Sequence, residues 1–576
     1  MERESTSKTI WKLVPIAVLI CAFALRFIGL GAASLTMNEA ENALTAVNLF
    51  TAGSNGQFLY VLPTSLLFKA FGVSEFSARL FPALMGLLLA VIPLLCTKKF
   101  GFSKACALSF LFAVDPVLLF WSKRADAVMP SITLGALVFL FILNGKKAAA
   151  FTAFLLLLAG GERALPVVII LVLCAAAALL RSKIDVDLFK ISRRDFFLSI
   201  FFFVLFCTVL GLFPGGFNGL GTGFANSFKK GPDWVFPGLS AMLVAVFLYC
   251  SVPLLLCCAE SSRHNRIPLL LSVLLSGVVL LFWHGIVMLP WVMVFLWYFA
   301  SDVFVKILKR LEGPVDFPFF MVSCILPGAY SFFYFRLVEL FKQTNGNEPL
   351  QITWNGAVQT LPLTRFGGMV LLTLVSIVII ALIVKILLGF VESVSVRRGM
   401  LCGCLVVLSW CGVTGVWNAG GFDRIGDHPA FPHLRNTANL LNGSYTSFTD
   451  SAFFDLLDET VEKHGDSVNT NYGLCFVQQD PMMEWQLKRY PGIKSAANYQ
   501  TDLTGVDLLI DDSGFSFESK GYVGTQHNWR GTMDWSRFSF QDWGKWLIFG
   551  DGSMVNDKPL TLWIRADHVY SFTASE

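Results

Sequence analysis

The sequence predicts an α-helical polytopic membrane protein of about thirteen spans that ends in an extracytoplasmic α/β domain. Three observations carry this prediction. Of 576 residues, 55% are hydrophobic and only 15% are charged, and the mean hydropathy is +0.63; ordinary soluble domains are roughly 25% charged. Apolar runs long enough to cross a hydrocarbon core about 30 Å thick recur along most of the chain. From Asp423 onward the character changes, with 21 acidic and 12 basic residues in a mixed, turn-rich stretch.

The first run, Leu13 to Leu25, follows Lys8 and Lys12. No small-x-small cleavage site follows it, so it reads as a retained helix. It is the core of a run near 12–32, and further runs lie near 79–97, 104–122, 127–145, 148–161, 164–181 and 195–213, then near 235–258, 267–283, 286–305, 316–335, 367–390 and 399–417. With the N-terminus in the cytoplasm, the inside loops hold roughly 20 Lys and Arg against about 10 outside, the bias that orients membrane proteins. An odd count places the tail outside, giving a membrane part over 1–417 and a soluble part over 418–576. The first outer loop, about 33–78, contains Phe58–Phe71, too short to span and expected to lie in the membrane interface.

In the tail, Ala452–His464 has helical spacing. Gly473–Gln478, Val506–Ile510 and Leu560–Arg565 read as strands, and Trp535–Phe549 as an aromatic amphipathic stretch. The acidic balance argues against a nucleic-acid partner, which requires clustered cations. Most of the 13 cysteines lie in apolar runs and act as small hydrophobes. His428 and His433 are too isolated to suggest a metal.

Charges at membrane depth are costly, so those near span ends single out four segments. Met37-Asn38-Glu39-Ala40-Glu41 offers carboxylates for general-base work, or reads as an acidic helix N-terminus. Ser122-Lys123-Arg124-Ala125-Asp126 offers two cations for a phosphate and a carboxylate for proton transfer, or reads as an interfacial anchor. Gly160-Gly161-Glu162-Arg163 and Trp283-His284-Gly285 read as tight turns whose charged groups are accessory candidates. Arg26, near the end of the first span, reads as structural.

Leu25-Arg26-Phe27, Asn38-Glu39-Ala40 and Phe71 to Leu80, together with Ser122 to Asp126, resemble GT-C membrane glycosyltransferases of the protein O-mannosyltransferase and lipid A aminoarabinose-transferase types. The resemblance covers about residues 20–145 and becomes diffuse beyond. The tryptophan-rich tail, with Trp529, Trp535, Trp543, Trp546 and Trp563, is similar to a prokaryotic branch labelled flippase-activity-associated. The resemblance implies a polyprenyl-phosphate sugar as donor, a protein or glycan hydroxyl as acceptor, no separate cofactor or metal, and a plasma-membrane location. It makes Glu39 and Asp126 the catalytic candidates and Arg124 and Lys123 the donor-phosphate ligands. Asn38, Glu41, Glu162, Arg163 and His284 are accessory. Asn38 stands where the family carries an Asp, and a neutral amide accepts no proton at physiological pH. A non-catalytic lipid-linked-saccharide binder or flippase accessory is therefore the alternative.

Overall fold

The structure, a computed structural model, describes residues 2–172 apart from 33–34, 50–56 and 170, and residues 191–211, 239–259 and 285–310. It also describes short stretches near 217–225 and between 316 and 406, including 349–354 and 357–364, and, with small gaps, 445–446, 453–459, 473–496, 503–543 and 554–566. The chain is mostly helical, with apolar helices followed by a C-terminal mixed sheet.

Helix α1 spans Glu2–Phe27. Leu13, Ile16, Ile20 and Phe23 recur on one exposed face of it, while Val18 and Ala22 are buried. This spacing gives a helix one apolar stripe for lipid and another for protein. Two short helices follow, α2 (Met37–Val47) and α3 (Phe58–Phe71), and then the long α4 (Glu75–Leu95). Ser74 starts α4 by accepting from the Ser77 amide. Helix α4 packs on α1 and α3, and on α5 (Phe102–Val114) and α7 (Val128–Leu143). Helix α6 (Pro116–Ser122) continues α5 after a bend of 61°. Helix α8 (Lys147–Leu158) pairs with α7 and with α9 (Arg193–Cys207), while α10 (Leu239–Ala259) pairs with α11 (Leu289–Arg310).

The α5–α6 break has a definite cause. Pro116 has no N–H, so the Phe112 carbonyl loses its helical donor. Arg26 supplies one: its Nη2 donates to Phe112 O at 2.9 Å and its Nη1 to Ala113 O at 3.2 Å. Asp115 caps α6 by accepting from the Leu118 amide at 2.8 Å, and it also accepts from Trp297 Nε1 of α11 at 2.7 Å. Gly86 permits the close approach of α4, because a Cβ there would lie 2.5 Å from the Ser122 Cβ and 3.0 Å from Arg26 Nε. The structural role read for Arg26 thus has a specific form, the capping of a broken helix.

Among the described residues, Glu75–Leu95 and Leu289–Lys309 are long and apolar enough to cross a membrane, and α5 with α6 makes a third if they form one broken span. These helices, with their exposed apolar faces, are those of a membrane protein. The run expected near 267–283 lies outside the described residues, as do most of those near 316–335, 367–390 and 399–417.

Helix α3 has the predicted extent but a different setting. Phe58, Leu59, Tyr60, Val61 and Leu62 are all buried, so its first turns are enclosed by protein instead of lying flat on lipid with one face in water. The cover over these turns comes from α2 and α4 and from Phe206 of α9, whose ring lies 5.9 Å from that of Phe58; farther along, the Trp485 ring of the C-terminal region lies 5.9 Å from that of Phe68.

Strands β1 (Pro349–Trp354) and β2 (Ala357–Thr364) form an antiparallel hairpin between the apolar runs near 316–335 and 367–390. The C-terminal sheet contains β3 (Tyr445–Thr446), β4 (Gly473–Cys475), β5 (Ile493–Ser495), β6 (Leu508–Asp511), β7 (Tyr522–Met533) and β8 (Met554–Arg565). Its order is β3-β7-β8-β6-β4-β5. Strand β4 runs parallel to β5 and β6, while β8 is antiparallel to β6 and β7. Helix α12 (Pro481–Leu487) follows β4, started by Asp480, which accepts from the Met482 amide at 3.0 Å. The three strands expected here exist at 473–475, 508–511 and 554–565. Of the expected helix at 452–464, Phe453 and residues 457–459 are described and helical, and most of 535–549 lies outside the described residues.

Candidate active site

The candidate residues converge on the turn 123–127 between α6 and α7. Side chains from two other segments hold this turn. Asn42 Nδ2 of α2 donates to Ala125 O at 3.0 Å, and the Ala127 amide donates to Gln57 Oε1, just before α3, at 3.2 Å. Lys123 Nζ donates to Ile28 O at 2.6 Å, tying the turn to the end of α1.

Glu39 is at the centre. As the N3 residue of a capping box it accepts from the Thr36 amide and hydroxyl, both at 3.0 Å. Arg79 of α4 meets it through Nε at 2.9 Å and Nη2 at 3.1 Å. Arg124 Nη1 adds 2.8 Å, and the Ala125 amide 3.0 Å. The carboxylate is buried, at 3% exposure, and these six donors occupy the roughly four lone-pair sites it has. Burial alone would raise its pKa, but Arg79 and Arg124 outweigh that and hold it well below the usual carboxylate range. Arg124 is further fixed by its position over the Phe120 ring, 4.5 Å from the centroid.

Asp126, in the same turn, has the opposite setting. It is also buried, but its protein partners are few: Oδ1 accepts from the Val128 amide at 2.9 Å, and Oδ2 meets Arg163 Nη2 at 3.3 Å. Burial pushes its pKa up; Arg163 opposes the rise and nearby Glu162 adds to it. Glu162 and Arg163 pair at 3.7 Å. Lys123 has its pKa pushed down to about 7 by burial, with the charges of Arg79 and Arg26 contributing.

Of the sequence candidates, Glu39, Lys123, Arg124, Asp126, Glu162 and Arg163 are brought together in this way. Asn38 and Glu41 are exposed, on the side of α2 away from Glu39. Spaced i, i+3, they share one helix face, while Glu39 points into the protein. His284 lies outside the described residues. Arg79, Thr36, Gln57 and Asn42 were not predicted. Arg79 could have been found, because a lone cation opening an otherwise uncharged apolar run calls for a partner. Among the described residues, no group of three or more His, Cys, Asp or Glu could hold a metal ion.

No protein-family model matches the chain, and no curated protein matches it. Solved structures are similar to it, among them two crystal structures. One is the crystal structure of ArnT from Cupriavidus metallidurans in the apo state, with 13% identity and a TM-score of 0.45, covering 89% of this chain and 94% of that one. The other is the same protein bound to undecaprenyl phosphate, with 12% identity and a TM-score of 0.44, covering 86% of this chain and 93% of that one.

Proposed function

We propose that this chain is a membrane glycosyltransferase that moves a sugar from a polyprenyl-phosphate donor to an acceptor hydroxyl on the extracytoplasmic face. The observation that carries the reading is the contrast between two carboxylates held by one turn. Glu39 is locked in its ionised form, while Asp126 has a raised pKa and few partners. Paired carboxylates driven apart by their surroundings are how one site divides structural from proton-transfer work. The sequence resemblance supplies the reaction class.

In this reading Asp126 is the base. The acceptor hydroxyl replaces Arg163 at Oδ2, the longest contact Asp126 makes, and gives up its proton there as its oxygen bonds to the anomeric carbon. The bond from that carbon to the phosphate oxygen breaks, and polyprenyl phosphate leaves with the electron pair. Arg124 and Lys123 meet the new negative charge. A single displacement of this kind inverts the anomeric centre. Glu39 takes no proton: it fixes Arg124 and the 123–127 turn.

A second reading has its own observation. Asn38 stands where the resemblance puts an Asp, and it is exposed on α2. A chain that only binds or presents a lipid-linked saccharide needs no base there. The Asn38→Asp variant separates the two readings in reconstituted vesicles loaded with polyprenyl-phosphate sugar. Transfer by the natural chain supports the enzyme; no transfer by either chain supports the binder.

A further inference from the structure

We propose that the C-terminal region sets the geometry of the Glu39 clamp by taking Glu75 out of competition for Arg79. Glu75 opens α4 one turn before Arg79, close enough for its charge to act on that guanidinium. It is buried, at 7% exposure. Its partners come from the far end of the sequence: Trp485 Nε1 of α12 donates to Oε1 at 3.3 Å, and Arg489 pairs with the same oxygen. The packing of Phe68 on Trp485, and of α2 on α12, holds these donors in place.

Opposite charges therefore alternate from Arg489 through Glu75, Arg79 and Glu39 to Arg124. Glu75 and Glu39 are rival acceptors for a single guanidinium. A buried carboxylate that loses its partner is strongly destabilised, so a cation within reach gains by turning to it. Arg79 is such a cation for Glu75, at the i+4 spacing that lets helical side chains pair. Once Arg79 swings toward Glu75, Glu39 loses two of its donors, and its hold on the Thr36 and Ala125 amides weakens with them. Docking of the C-terminal region thus positions the clamp through Glu75. Arg489 and Trp485 are positioning residues, and the inference stands whether or not the site transfers a sugar.

The test is amide hydrogen exchange on the full chain in detergent or nanodiscs, with no donor or acceptor present. Arg489→Ala should raise exchange at Thr36 and Ala125 about tenfold. Arg489 is more than half exposed, so its replacement leaves the core packing intact. Adding Glu75→Gln to Arg489→Ala removes the competing charge and should return exchange at both amides toward the natural level. Arg489→Lys, which keeps the charge, should stay close to the natural chain. Unchanged exchange in Arg489→Ala would overturn the proposal. So would a double variant as loose as the single one, because Arg489 would then act by docking alone. A chain that passes this test yet transfers no sugar would defeat the proposed activity and leave this inference standing.

Discussion

Glu39 and Asp126 show how neighbouring carboxylates acquire different chemistry. Six donors surround the first; the second has one amide and one longer contact to an arginine. Two predictions belong at this scale. A base must be deprotonated, so transfer should fail as pH falls through the Asp126 pKa, and burial moves that limb above the ordinary Asp value of about 3.9. Asp126→Asn should cost about 10²–10⁴-fold in turnover and abolish the limb, as read from pH–rate profiles in vesicles. Lys123 supplies the second. A sugar phosphodiester keeps one charge near neutrality, whereas Lys123 loses its own as pH rises past about 7. Donor affinity should therefore weaken upward through that range, and Lys123→Met should flatten the dependence; equilibrium binding of labelled donor checks both. The two motifs holding these residues were legible in the sequence, but which carboxylate was locked was not. That depends on Arg79, a residue distant from both motifs that only the packing of α4 brings to Glu39.

Among the elements, the broken α5–α6 helix orients the turn that carries Lys123, Arg124 and Asp126. Its cause lies in single residues: Pro116 frees a carbonyl, Arg26 takes it, and Gly86 lets α4 close against the bend. Gly86→Ala forces a Cβ against Ser122 and should cost about 1–3 kcal/mol through overpacking, seen as a lower thermal midpoint in detergent. The apolar runs made the main helices readable, because twenty apolar residues admit few alternatives in a bilayer. The bend was not read, since the run 104–122 is apolar on both sides of Pro116. Strand β7 was missed because Thr525, Gln526, His527 and Asn528 break any apolar alternation, and its partner β8 supplies the buried residues Leu560, Leu562 and Ile564. The β1–β2 hairpin had a usable signal. Asn355-Gly356 follows the alternating Leu350, Ile352 and Trp354, and Asn-Gly is a strong two-residue turn sequence.

At the scale of the whole molecule, one apolar cluster runs from α2 and α3 into the C-terminal sheet and includes Phe58, Tyr60, Phe453, Met483 and Leu562. The C-terminal region is therefore seated on the helices that carry Glu39. Removing a cation from the buried pair should spread beyond the site: Arg79→Met should destabilise the chain by about 3–5 kcal/mol, by leaving the buried Glu39 short of a partner. The thermal midpoint in detergent reads that loss, and Arg124→Met should cost less because its side chain is more exposed. In the proposed reaction Asp126 takes the proton and Glu39 does not. The most direct measurement of this division is single-turnover transfer from a polyprenyl-phosphate sugar in reconstituted vesicles, comparing Asp126→Asn with Glu39→Gln across pH. Asp126→Asn should remove both activity and its acid limb, while Glu39→Gln should slow transfer and keep the limb in place. An acid limb that vanishes in Glu39→Gln and persists in Asp126→Asn would contradict it.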